Sequence, residues 1–131
     1  MTEKETAIAA AIAAGNLMKR YIGKITSGDI DDKNPFDFVT VIDKKAEELI
    51  INLIAGEFPD HEIYAEESVK STIKKSPRWI IDPLDGTTNF IHGYPNSAVS
   101  IALERDKEIV LAVVYDPFQA LWKLRYLDNH G

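Results

Sequence analysis

Apolar residues near the start of the chain follow a helical rhythm. Ile8, Ile12, Leu17 and Tyr21 recur at close to helical spacing, behind Thr2 and Glu5, which are spaced as a capping box. This predicts a first helix running to about Ile22. Gly23 and residues 27–35 then read as a polar loop. Phe38-Val39-Thr40-Val41-Ile42 is a short β-prone run. Asp43 follows where a helix N-cap belongs, ahead of an apolar stripe of Ala46, Leu49, Ile50, Leu53 and Ile54 that ends at Gly56. The stripe predicts a second helix.

Beyond Pro59 the period changes. Residues 62–65 read as a short strand, and 69–77 as a basic, polar connection. Trp79-Ile80-Ile81 is a compact apolar run, the signature of a buried strand. Residues 98–104 and 109–115 are two longer strands, joined by Arg105-Asp106-Lys107-Glu108 as a polar hairpin turn. Residues 120–126 are a further strand candidate. Helices first, then largely antiparallel strands, predict an α+β layered domain rather than a βαβ nucleotide-binding fold. No repeat, low-complexity tract or internal linker interrupts the pattern.

Composition narrows the function. With 131 residues the chain is about one domain long, and 45% hydrophobic content suffices for a core. The net charge of −6 argues against a general nucleic-acid or anionic-membrane binder, so a phosphorylated ligand would need a local device such as a metal ion or a helix N-terminus. The absence of cysteine excludes disulfides and zinc–thiolate sites. The start Met1-Thr2-Glu3-Lys4-Glu5 lacks the basic-then-apolar order of a secretory signal, and the Ala-rich stretch 7–17 is too short for a membrane span. A cytoplasmic protein is expected.

Three segments carry candidate chemistry. In Asp82-Pro83-Leu84-Asp85-Gly86-Thr87-Thr88-Asn89, two carboxylates bracket a proline turn directly after a buried strand. Such a turn can aim both Asp side chains and the Leu84 carbonyl into one pocket, a set of oxygen ligands suited to Mg²⁺. Backbone N–H groups of Gly86, Thr87 and Thr88 would meet phosphate oxygens there. Equally, Asp-Pro and Asp-Gly are ordinary turn formers. The spacing does not fit a calcium EF-hand loop. Ala65-Glu66-Glu67-Ser68 places a carboxylate pair after a strand, which is either solvated surface or, beside a cation, a ligand pair. Val39-Thr40-Val41-Ile42-Asp43 is a strand with a capping aspartate or a third contributor. His61, His92 and His130 are scattered without ligand spacing and read as structural or surface residues. Trp79 and Trp122 read as core or interface aromatics, and Ser97 and Ser100 lack a His–Asp pattern.

Asp37-Phe38-Val39-Thr40 with Asp43, then Ala65-Glu66-Glu67-Ser68, then Trp79-Ile80-Ile81-Asp82-Pro83-Leu84-Asp85-Gly86-Thr87-Thr88-Asn89-Phe90, together resemble the inositol monophosphatase family of magnesium-dependent, lithium-sensitive phosphatases. The order and approximate separations match, over residues from about 5 to about 118. The resemblance implies the first half of an αβαβα layered sandwich, with residues 1–131 as its N-terminal, metal-binding half. It implies Glu66, Asp82 and the Leu84 carbonyl as ligands of a first Mg²⁺, and Asp82 and Asp85 as ligands of a second, with Mn²⁺ as a possible substitute. It also implies catalytic roles for Asp43 and Thr87, which orient the attacking water, and for Glu66. Gly86 and Thr87 amides contact phosphate, and Glu67 stands behind the ligands. The substrate implied is a phosphorylated polyol such as inositol monophosphate, the assembly a homodimer, with no nucleic acid and no membrane. The Thr-Thr-Asn-Phe continuation at 87–90 leans toward inositol monophosphatase over fructose-1,6-bisphosphatase or nucleotide 3′-phosphatase relatives.

Members of that family are longer, and their further half supplies another aspartate and most groups that grip the substrate. After Tyr115-Asp116-Pro117-Phe118 the present sequence also leaves the family's usual course. The expectation is therefore an exposed face on the sheet or helices and little activity from residues 1–131 alone. The contrasting reading is a non-catalytic remnant or dimerisation module of the same fold.

Overall fold

The computed structural model describes residues 1–27, 35–65, 77–85 and 98–117. Two helices, α1 (Glu3–Ser27) and α2 (Pro35–Glu57), precede strands β1 (Glu62–Ala65), β2 (Arg78–Asp85), β3 (Ala98–Arg105) and β4 (Glu108–Tyr115). The strands form one sheet in the order β1-β2-β3-β4. β1 is parallel to β2, while β2–β3 and β3–β4 are antiparallel. The class is α+β: two helices packed on one face of a mixed sheet.

The capping box forms. The Glu5 backbone N–H donates to Thr2 Oγ1 at 3.1 Å, and the Thr2 hydroxyl donates to Glu5 Oε1 at 3.1 Å. Thr6 Oγ1 adds a 2.8 Å bond to the Thr2 carbonyl. α1 runs five residues past the expected end at Ile22, to Ser27. Its inward face also differs from the expectation. Ala7, Ala10, Ala11, Ala14 and Met18 are buried, whereas Ile8, Leu17 and Tyr21 pack at the core margin. α1 lies against α2, β3 and β4 at once, and methyl-sized side chains permit that approach.

The β-prone run 38–42 lies inside α2, and Asp43 is a mid-helix residue rather than an N-cap. Pro35 opens the helix, where its missing N–H costs nothing. Ile42, Ala46, Ile50 and Ile54, four residues apart, are all fully buried. Burying that row outweighs the few tenths of a kcal/mol per residue by which β-branched side chains disfavour a helix. Gly56 is likewise helical, and α2 ends one residue later.

The sheet's helix-side face is Trp79 and Ile81 of β2, Val99, Ile101 and Leu103 of β3, and Leu111 and Val113 of β4, all buried. The alternate positions Ile80, Ser100, Ala102, Ala112 and Val114 are half-buried on the other face. The hairpin Asp106-Lys107 is a two-residue loop with φ of 52° and 69°, the type I′ signature. The loop segment 28–34, most of the connection 69–77 and the strand candidate 120–126 lie outside the described residues.

Two substitutions should change stability in opposite senses. A Cβ on Gly15 would lie 2.7 Å from Cδ1 of Tyr115 and 3.2 Å from Cβ of Pro117. Gly15→Ala should therefore lower the denaturation midpoint, costing about 1–3 kcal/mol despite its better helix propensity. Lys107→Gly should stabilise by about 1 kcal/mol, because glycine removes the left-handed penalty. Chemical denaturation of both variants checks the signs.

Candidate active site at the carboxyl end of β2

β2 starts as the expected buried strand but does not stop at Ile81. It continues through Asp82-Pro83-Leu84-Asp85, the segment expected to be a turn after the strand. Its pairing with β3 runs Ile81↔Ile101 and Asp82↔Ser100, then Asp85↔Ala98. Three steps on β2 thus oppose two on β3, which is a bulge of one residue. Proline has no N–H for a ladder hydrogen bond, so a bulge is where a paired strand tolerates it.

The bulge decides the geometry. In a regular strand, residues three apart fall on opposite faces. Here Asp82 and Asp85 pair with residues two apart on β3, so both take register positions on one face. That face is opposite the one carrying Ile81 and Ile101, hence away from the helices. Asp82 is exposed there. The Leu84 carbonyl belongs to the same bulged stretch.

β1 ends beside this segment. Ala65 pairs in parallel with Ile81, the residue before Asp82. Glu66 and Glu67 follow Ala65 in sequence and lie outside the described residues, as do Gly86, Thr87 and Thr88. Asp43 comes from α2, the helix that packs on β2. It is half-buried, with its Oδ1 enclosed. The structure therefore brings Asp82 and Asp85 together by register, and places Asp43 on a different layer. Among the described residues no group of three or more His, Asp or Glu is close enough to hold a metal ion.

The donors that β2 contributes are carboxylate and carbonyl oxygens, a set that fits a hard divalent cation. An exposed carboxylate at Asp82 also leaves room for the waters that Mg²⁺ retains. Sequence reasoning found the two aspartates but missed the bulge, and Pro83 between them was its one available signal.

Residues 2–127 match the sequence profile of the inositol monophosphatase family. The chain belongs to that family. A fructose-1,6-bisphosphatase/inositol-1-monophosphatase of Aquifex aeolicus is 42% identical over 114 residues, which are 87% of this chain and 43% of that protein. A Nus factor SuhB of Vibrio cholerae is 45% identical over 112 residues, 85% of this chain and 42% of that one. Inositol monophosphatase-II of Staphylococcus aureus, 32% identical, superposes with a TM-score of 0.73 over 86% of this chain and 42% of that chain. That protein has also been solved with inositol monophosphate bound. The chain thus spans under half the length of these relatives.

If the bulged segment holds a cation, the isolated protein should show it. Calorimetric titration with Mn²⁺ should give a binding isotherm, and Asp82→Asn should weaken it at least tenfold, about 1.4 kcal/mol. An isotherm unchanged by Asp82→Asn would remove Asp82 from the ligand set.

Proposed function

We propose that residues 1–131 form the N-terminal, metal-binding half of a Mg²⁺-dependent phosphomonoesterase site that hydrolyses inositol monophosphate or a similar polyol phosphate. The observation that carries this reading is the β2 bulge, with Asp82 and Asp85 on one face. Family membership and the inositol monophosphate bound to the S. aureus relative support the substrate class.

On this reading Glu66, Asp82 and the Leu84 carbonyl would hold a first Mg²⁺ and Asp82 and Asp85 a second, with Mn²⁺ as the substitute, and Glu67 stands behind these ligands. Bound there, the metal supplies Lewis acidity and offsets the charge of the phosphate. Gly86, Thr87 and Thr88 offer backbone N–H groups to the phosphate oxygens. Thr87 orients the attacking water and takes up its proton, and Asp43, which lies in the helix layer, receives that proton at the far end of a hydrogen-bonded relay. Water oxygen bonds to phosphorus as the ester P–O bond breaks, and the departing alkoxide takes up a proton, leaving inorganic phosphate and the free alcohol.

The assembly proposed is a cytoplasmic homodimer, and the net charge of −6 argues against nucleic-acid partners. Among the described residues no helix is long and apolar enough to cross a membrane. Two names among the relatives favour other readings. The A. aeolicus protein's name joins fructose-1,6-bisphosphatase to inositol-1-monophosphatase, and the V. cholerae protein is named as a Nus factor. The first favours a bisphosphate substrate; the second names no phosphatase reaction.

A chimera tests the proposal. Residues 1–118 of this chain would replace the corresponding part of the A. aeolicus relative, and phosphate release would be measured on a panel of phosphate esters. Mg²⁺-dependent release from inositol monophosphate is expected, with kcat/KM falling about 10³-fold, or about 4 kcal/mol, in Asp82→Asn. A folded chimera inactive on every ester would contradict the catalytic reading.

A further inference from the structure

At the end of the sheet opposite the bulge, four elements meet around His61. The Trp79 indole N–H of β2 donates to His61 Nδ1 at 3.1 Å. Phe58, just after α2, stacks on the imidazole with ring centroids 4.8 Å apart. His61 Nε2 lies 4.0 Å from Glu3 Oε2 at the start of α1. Glu3 in turn accepts two hydrogen bonds from Arg105, at the end of β3, at 2.6 and 3.3 Å. The His61 side chain is only 14% exposed.

We propose that His61 is a pH-responsive latch that joins the start of α1 and the β3–β4 hairpin to the buried end of β2. The inference stands apart from the phosphatase reading and uses none of its residues. An indole N–H can only donate, so the bond to Nδ1 requires that nitrogen to carry no proton. The proton of neutral His61 is therefore on Nε2, facing Glu3. A second proton can enter only at Nδ1, where it meets the Trp79 donor. Protonation breaks that hydrogen bond and leaves a fully buried indole N–H without its acceptor.

The charged groups facing His61 are Glu3 from α1, Arg105 from β3 and Asp60 from the turn before β1, while β2 contributes the Trp79 indole. Burial, the largest influence, holds the imidazole below its ordinary value of 6.5; Glu3 and Asp60 pull it up, and Arg105 pushes it down. The unfolded chain then takes up this proton at a higher pH than the folded one. The latch's contribution to stability is complete above the ordinary imidazole value and is lost as the pH falls below it.

The test uses the full chain carrying Trp122→Phe, so that Trp79 is the sole tryptophan. Its indole N–H resonance and the thermal midpoint are followed from about pH 8 to about pH 5. The resonance should move in one transition with its midpoint below about 6.5, and the thermal midpoint should fall over the same interval. His61→Gln, whose amide oxygen can accept without titrating, should abolish the transition. Glu3→Gln removes an attraction for the protonated form and should move the midpoint lower; it decides the matter if His61→Gln does not fold. A static indole resonance, a transition surviving in His61→Gln, or a higher midpoint in Glu3→Gln would overturn the latch.

Discussion

Pro83 has no amide hydrogen to give to β3, and the ladder between the two strands advances three residues on β2 against two on β3. Much of the candidate site's geometry depends on that slip. Without it, Asp82 and Asp85 would alternate across the sheet, one toward the helices and one away. With it, both take register positions on the helix-free face.

The slip is useful only if the strand carrying it is fixed. β2 lies between β1 and β3, and its Trp79 and Ile81 are buried under the helices. The alanine face of α1 and the Ile42–Ala46–Ile50–Ile54 row of α2 set that packing. Gly15 permits the close approach of Tyr115 from β4. Core and candidate site therefore lie on opposite faces of one sheet. The chain can keep the Asp82 carboxylate at the solvent on one side because apolar burial on the other holds its register.

Features governed by local chemistry were legible in the sequence. The Thr2–Glu5 cap, the Asp106-Lys107 hairpin, β1 and the Trp79-Ile80-Ile81 strand all appear where the pattern placed them. What was misread depends on distant partners. Residues 38–42 are β-prone in isolation but lie in a helix, where Ile42 joins a buried row. Periodicity gave weight to the large residues of α1, whereas the core received its small ones. The bulge escaped for the same reason, because register belongs to a pair of strands and one strand's sequence does not contain it. The candidate ligands were legible as a motif; that Asp82 and Asp85 share a face was not.

The proposed divalent-cation site lies at the bulged end of β2, on the face away from the helices. Crystals of the protein soaked in Mn²⁺ and measured at the manganese absorption edge test it directly. An anomalous peak is expected on that face within about 2–2.3 Å of an Asp82 carboxylate oxygen. Manganese bound only elsewhere on the molecule, with none at Asp82, would contradict it.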